Sequence, residues 1–173
     1  MRSTTRSLGK HFRARGSPFP SVVLWYGPRV RASQQLKYAI YGVFDLAYHG
    51  QDRPVTLQEV GARQLIPARY LEQIFQKLRR AGLVRSKRGP GGGYVLARPP
   101  QEISLADVVT AVQGRVLCSA EEAGPARETA WLWASVEQVL VDSLGAHTIG
   151  DVCREAAQRG LERSGSEPAM YEI

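Results

Sequence analysis

The 173-residue chain is poor in the residues that build metal cages and disulfide frameworks. Its two cysteines, Cys118 and Cys153, exclude a disulfide framework and a four-cysteine zinc site. Three histidines, His11, His49 and His147, leave little material for a histidine metal site. No run approaches the roughly 18 apolar residues of a membrane-spanning helix. We therefore expect a soluble protein without such a metal cage.

The sequence also lacks the motifs of common enzymes. No serine or cysteine stands in a recognisable arrangement with a histidine and an acid, so no nucleophilic catalyst is predicted. The glycine-rich run at residues 89–93 has no Gly-Lys-Ser/Thr and no following helical pattern, which argues against a nucleotide-binding loop. His49, which closes the first predicted helix, and His147, which precedes the last one, are interpreted as surface residues. The sequence predicts no enzyme.

Basic charge is concentrated in two parts of the chain, whose net charge is +7. Residues 1–31 hold seven basic residues and no acidic one, and residues 63–98 hold nine basic residues and one acidic one. Residues 99–173 hold five basic and twelve acidic residues. A local excess of this kind predicts a surface that binds a polyanion. The alternative is a set of solvated faces whose charges cancel in three dimensions.

Residues 1–29 differ from the rest in being rich in arginine, serine, glycine and proline. We interpret them as a disordered N-terminal extension. An organelle transit peptide is an alternative, and so is a start codon assigned too early, with Val30 as the true start.

Apolar periodicity and capping signals predict six helices in the remaining chain. The predicted order is a helix over Gln34–His49, a short helix capped at Thr56, a helix from Pro67 to Gly82, a helix between Ser104 and Gly114, a long helix over Ala126–Leu144, and a last helix from Thr148 to about Arg163. Two short strands, Leu83–Ser86 and Tyr94–Ala97, flank the glycine-rich run and predict a β-hairpin.

A short helix, a tight turn, a second helix and a basic hairpin form the order of a winged helix-turn-helix. The predicted fold class is thus mainly α with a small β-hairpin wing, followed by a long helix. The domains are predicted at 1–29 for the extension, 30–100 for DNA binding, 101–125 for a helix and a polar loop, 126–163 for the long helix and the C-terminal helix, and 164–173 for a flexible tail.

Residues early in the second helix are expected to read base edges in the major groove. Arg69 is suited to guanine, Glu72 to cytosine and Gln73 to adenine. Lys87 and Arg88 in the wing are expected to approach the backbone or a minor groove. For three further basic residues, contact with phosphates and mere solvation of the helix end are equally favoured; they are Lys77, Arg79 and Arg80.

Three segments together resemble the Rrf2 family of bacterial transcription regulators: YLEQIF at residues 70–75, LRRAGLV at 78–84 and RGPGGGY at 88–94. The similarity runs from about Val30 to about Gln158. It implies a cytoplasmic, homodimeric regulator, most simply a repressor, that binds double-stranded DNA at an inverted repeat. It also implies base-reading residues, wing contacts and backbone contacts. The base readers are Tyr70, Glu72 and Gln73, the wing contacts are Arg88, Gly89, Pro90 and Gly91, and the backbone contacts are Arg31 and Lys37.

The resemblance also implies that the long helix forms the dimer interface. Its apolar face consists of Leu132, Val136, Val139, Leu140 and Leu144. The alternative is that this stripe packs only on its own subunit. Trp131 and Trp133 add apolar surface, which favours a shared interface.

The loop before the long helix, which the resemblance identifies as a sensor-type loop, departs from the family pattern. Many relatives bind a [2Fe–2S] or [4Fe–4S] cluster with three cysteines spaced about six apart, whereas this loop has only Cys118. We therefore predict no cofactor and an unknown effector. Cys118 is most simply a structural or incidental thiol. The alternatives are an atypical iron–sulfur cluster at Cys118 that senses redox change or nitric oxide, a redox-sensing Cys118 thiol, a small ligand, or a partner protein. A winged helix that only docks proteins is a further alternative.

Overall fold

The structure is a computed structural model that describes residues 33–51, 53–114 and 130–164. The predictions for the extension at residues 1–29, for Arg31 and for Cys118 lie outside the described residues.

The described residues form six helices and one two-stranded antiparallel sheet. The elements are α1 Gln34–His49, α2 Leu57–Gln64, α3 Ala68–Arg80, β1 Val84–Lys87, β2 Gly93–Leu96, α4 Leu105–Gln113, α5 Ala130–Gly145 and α6 Ile149–Gln158, with a short 3₁₀ turn at Pro100–Glu102 before α4. The mainly α fold with a hairpin wing is confirmed. Within the described part of the chain, no helix is long and apolar enough to cross a membrane.

Capping boxes start three of these helices. At α2 the Thr56 hydroxyl accepts a bond from the Glu59 N–H at 3.2 Å, and the Glu59 carboxylate accepts one from the Thr56 N–H at 2.7 Å. That backbone bond lowers the pKa of Glu59 to about 2. Ser104 with Asp107 and Thr148 with Asp151 repeat the arrangement at α4 and α6. The predicted helix starts are confirmed. Each depends on two side chains only three residues apart, so the signal can be identified in the sequence.

The sheet and the last helix differ in extent from the prediction. Both strands lie one residue closer to the glycine-rich tip than predicted: Lys87 pairs with Gly93 at the tip end, and the Leu83 N–H bonds to the Leu78 carbonyl at the end of α3. Helix α6 ends at Gln158, five residues before the predicted Arg163. Gly160, at φ +75°, turns the chain there, and the Leu161 N–H bonds back to the Ala156 carbonyl.

A single core joins α1, α3, α4 and α6. Val43 of α1, Phe75 of α3, Val108 of α4 and Ile149 of α6 are fully buried together, with Val84 at the base of the wing. Helices α1 and α3 approach closely at Gly42, where a Cβ atom would lie 2.7 Å from the Phe75 ring. Core packing therefore fixes the position of α3.

Two buried polar groups hold α1 to other segments. The fully buried Asp45 carboxylate accepts bonds from the Arg63 guanidinium at 2.6–3.2 Å and from the Gln64 amide at 3.0 Å. His49 is 7% exposed, and its Nδ1 accepts a bond from the Ser164 N–H at 2.9 Å. The surface prediction for His49 is wrong, because the residues after α6 cover the end of α1.

Candidate nucleic-acid interface

Helix α3 presents one polar face away from the core. Leu71, Ile74, Phe75 and Leu78 are buried, so the opposite side of the helix is left exposed. The exposed row repeats at spacings of four and three residues and consists of Arg69, Gln73, Gln76 and Arg80. Glu72 is exposed on one flank of this row. Gln76 was not predicted from the sequence, although its position three residues after Gln73 places it on the same face of the helix.

Tyr70 lies on the other flank, beside the first turns of α1. Its side chain is 47% exposed, and the Arg69 guanidinium lies 4.9 Å from the centre of its ring. The ring of Tyr38 in α1 lies 6.4 Å from that of Tyr70, and the Tyr38 hydroxyl accepts a bond from the Gln34 amide at 2.5 Å. Lys37 is exposed on the same turn of α1. The first turns of α1 therefore extend the surface of α3.

These residues border a groove of about 410 Å³. Its lining consists of Gln34, Gln35, Tyr38, Tyr70, Gln73 and Ile74. Amide and hydroxyl groups can both donate and accept, which suits contact with base edges and phosphates alike. The sequence did not predict Gln34, Gln35 or Tyr38, because their closeness to α3 depends on the packing of α1.

The wing is anchored at its base and open at its tip. Val55, just before α2, exchanges two backbone hydrogen bonds with Tyr94 at 2.9 and 2.8 Å. Gly93 lies so close to this bridge that a Cβ atom would be 2.5 Å from the Val55 carbonyl oxygen. A bond from the Gly92 N–H to the Gly89 carbonyl at 2.8 Å closes the tip. The exposed tip residues are Lys87, Arg88, Gly89, Pro90 and Gly91.

The polar face of α3 and the wing share an excess of positive charge. Arg79, Arg80, Lys87 and Arg88 are exposed, and none of them forms an ion pair within the described residues. The charges therefore do not cancel in this part of the molecule, and they remain available to a polyanion.

Lys77 differs from its basic neighbours. Its side chain is half-buried, and its ammonium group donates to the Gln35 side-chain oxygen at 3.0 Å and to the Val112 carbonyl at 2.9 Å. The sequence favoured phosphate contact and mere solvation of Lys77 equally. In the structure, Lys77 instead forms these two internal hydrogen bonds.

Helix α5 carries an exposed apolar stripe. Against the described residues, Leu132 is 51% exposed, Val136 40%, Val139 67% and Leu140 37%. Leu144 is half-buried, and α5 packs on α4 within the same chain. Packing on its own subunit therefore accounts for Leu144 but not for the four residues before it. Trp131 and Trp133 are exposed as well, at 67% and 38%.

The described residues do not offer a binding site for iron. They contain no group of three histidine, cysteine, aspartate or glutamate side chains that could hold a metal ion. Cys153 packs against the core, and burial raises the pKa of its thiol to about 11.

Comparison with known proteins identifies the family. The Rrf2 family model, described as "Iron-dependent Transcriptional regulator", matches residues 32–155. The HTH-type transcriptional regulator IscR of Vibrio cholerae is 38% identical over 129 residues, which cover 71% of this chain and 75% of the relative.

Solved structures agree with this assignment. T. potens IscR is 32% identical with a TM-score of 0.65, over 78% of this chain and 93% of that one. CymR, the global cysteine regulator of B. subtilis, is 26% identical with a TM-score of 0.62, over 73% and 98%. The polar face of α3, the basic wing and these matches agree, and the chain belongs to the Rrf2 family of winged helix, DNA-binding transcription regulators.

Proposed function

We propose that the protein represses transcription by binding an inverted-repeat operator as a homodimer. The observation that supports this best is the exposed polar row of α3 beside a wing tip whose cations form no ion pair within the described residues. A helix with such a face fits the major groove, and a basic hairpin beside it reaches the neighbouring backbone. Occupation of an operator that overlaps a promoter would exclude polymerase.

Sequence reading is assigned to the start of α3. Arg69 donates to guanine, Glu72 accepts from cytosine, and Gln73 pairs with adenine. Tyr70, half-exposed between α1 and the reading row, offers its hydroxyl and ring edge to the same groove. Outside this helix, Lys37 is assigned to the DNA backbone, as is Arg31, which the structure does not describe.

The wing tip supplies contacts that do not depend on sequence. Lys87 donates to phosphates, and Arg88 enters or borders the minor groove. Gly89, Pro90 and Gly91 add no long side chain, so their backbone approaches the duplex closely.

The exposed stripe of α5 is assigned to a second copy of this chain. Leu132, Val136 and Val139 follow one another at spacings of four and three, so they form one strip along the helix. An isologous contact between two such strips would bury apolar surface that is exposed in the single chain, and would bring two reading helices onto one palindrome.

Iron chemistry has no part in this proposal. The described residues supply no ligand set, and the loop between α4 and α5 carries a single cysteine, Cys118. We retain Cys118 as the residue at which to test for a sensor, by assaying iron, sulfide and thiol oxidation in protein purified without oxygen.

The test of the main proposal is the salt dependence of binding to an operator selected from random duplexes. A dimer that neutralises about eight phosphates should give a log–log slope near −7. Arg88→Ala should weaken binding to all duplexes, whereas Arg154→Ala, an exposed arginine on α6, should change neither affinity nor slope. A flat salt response of the wild-type protein would refute the proposal.

Base reading and dimerisation are tested separately. Glu72→Ala and Gln73→Ala should each cost about 1–3 kcal/mol on the selected operator and little on random DNA. Val139→Glu should turn a dimer into monomers in sedimentation, while Leu161→Glu, at another exposed apolar residue, should leave the dimer intact. A wild-type monomer at micromolar concentration, or a dimer that Val139→Glu does not weaken, would refute the assigned interface.

A further inference from the structure

We propose that Lys77 is a positioning residue for DNA reading: it ties the end of α4 to the first turn of α1 and thereby holds the groove beside Tyr70 in its binding geometry. This inference rests on the proposed function. It gives Lys77 a different task from Arg79 and Arg80, which follow it on the same helix and are exposed.

The position of Lys77 on α3 points it toward α1 and α4. Lys77 follows Tyr70 by seven residues, which is two helical turns, so both lie on the flank of α3 that faces α1. Two of the three ammonium protons of Lys77 are used internally, at 3.0 Å from Gln35 and 2.9 Å from the Val112 carbonyl. A phosphate contact would have to compete with these bonds.

The Lys77 ammonium group bonds to a carbonyl at the C-terminal end of α4, where a cationic donor is stabilising. Val112 lies in the last turn of α4, which ends at Gln113, and carbonyls in a last turn lack partners within their helix. A cation at this end is also stabilised by the helix dipole. Lys77 therefore serves as a cap that comes from a neighbouring helix.

A second bond joins the same two segments. The Gln113 amide donates to the Ser33 hydroxyl at 3.1 Å, and that hydroxyl accepts the N-terminal capping bond from the Leu36 N–H at 3.2 Å. The last two residues of α4 thus hold the first turn of α1 at two points, one direct and one through Lys77.

The first turn of α1 belongs to the reading surface. Gln35, the acceptor of Lys77, lines the same groove as Tyr38, Tyr70 and Gln73. When the ammonium bond is removed, Gln35 is free to turn and the wall of this groove loses its support. A displacement of the end of α4 would reach the groove by the same route.

The experiment compares Lys77→Met with Lys77→Arg, Gln35→Met and the control Arg80→Met, each titrated with the selected operator and with a random duplex over a range of salt. We expect Lys77→Met and Gln35→Met to weaken operator binding about tenfold and random binding less than about twofold, with unchanged salt slopes. The double variant should lose no more than Lys77→Met alone. Lys77→Arg, which keeps its donors, should retain specific binding.

The control has a different signature. Arg80→Met should weaken both duplexes alike and reduce the magnitude of the slope by about one for each phosphate that the variant no longer neutralises. The same pattern for Lys77→Met would show that Lys77 binds a phosphate and would overturn the assignment.

Thermal melting of each variant separates positioning from folding. A lower melting temperature for Lys77→Met with unchanged affinities would show that the residue only stabilises the fold, and this too would overturn the assignment. Gln35→Met removes the acceptor of Lys77 while the Lys77 bond to Val112 remains possible, so it keeps the test open if Lys77→Met folds poorly. A wild-type protein that does not bind DNA would instead refute the proposed function, and the inference with it.

Discussion

Replacing Arg63 with methionine tests how much the buried ion pair between α1 and α2 stabilises the protein. The Arg63 side chain is 19% exposed and its partner Asp45 is fully buried, with the guanidinium and carboxylate 2.6 Å apart at their closest atoms. Methionine keeps most of the apolar stem but removes the charge and both donors. Asp45 then retains only the Gln64 amide as a described donor.

The expected loss follows from the burial of Asp45. Removal of one partner of a buried pair costs about 3–5 kcal/mol, because the remaining charge is left without compensation. The partial exposure of Arg63 admits water, so we expect the lower end, about 3 kcal/mol. Arg53 provides the matched control: its pair with Glu59 is 3.0 Å long, but the two side chains are 49% and 35% exposed. Arg53→Met should cost less than about 1 kcal/mol.

Urea unfolding at a fixed protein concentration provides the assay. With a slope of about 1.5 kcal/mol per molar urea, the midpoint of Arg63→Met should fall by about 2 M and that of Arg53→Met by less than about 0.7 M. Adding Asp45→Asn to Arg63→Met should restore part of the loss, since the buried charge is gone. Equal midpoints for the two arginine variants, or a further loss in the double variant, would refute the reasoning.

Three further changes test local features of the fold. Gly93→Ala should cost about 1–3 kcal/mol in urea unfolding, because its Cβ would meet the Val55 carbonyl, whereas Gly145→Ala has open space; equal costs would contradict the close approach. Leu65 is 89% exposed at φ +55°, so Leu65→Asn should raise the free energy of unfolding by about 0.5–1 kcal/mol, and a decrease would mean that the leucine side chain stabilises the fold. Burial lowers the pKa of His49 below 6.5, so its contribution to stability is complete above pH 6.5 and falls as the pH drops below that value. His49→Asn keeps a hydrogen-bond acceptor but does not titrate in this range, so it should reduce the change of the urea midpoint between pH 6.5 and 5. An unchanged pH dependence would show that another group titrates.

The elements that the sequence predicted well depend on neighbours in the chain. Helix α1 has the predicted bounds because its apolar spacing and its flanking Ser33 and Gly50 are local signals. The capping box at Thr56 is local in the same way, since both of its members stand within four residues. Glu72 and Gln73 are exposed on α3, as the alternation of polar and apolar residues there requires.

What the sequence missed depends on residues that meet only after folding. Arg63 and Lys77 look like ordinary surface cations in the sequence, yet one pairs with a carboxylate 18 residues away and the other caps a helix 35 residues away. Tyr38 escaped notice because its place beside Tyr70 follows from the angle between α1 and α3. Gln76 could have been predicted from the sequence, since its helical spacing from Gln73 is enough to identify it.

The contacts at the end of α1 have a consequence for the order in which the molecule is built. Tyr48 and His49 bond to the backbone of Leu161 and Ser164, 113 and 115 residues later. A chain leaves the ribosome from its N-terminus, so α1 emerges long before the segment that covers it. Contacts across such separations form slowly. Helix α3 packs on α1, so α3 gains its full support only after residues 161–164 have left the ribosome and covered the end of α1.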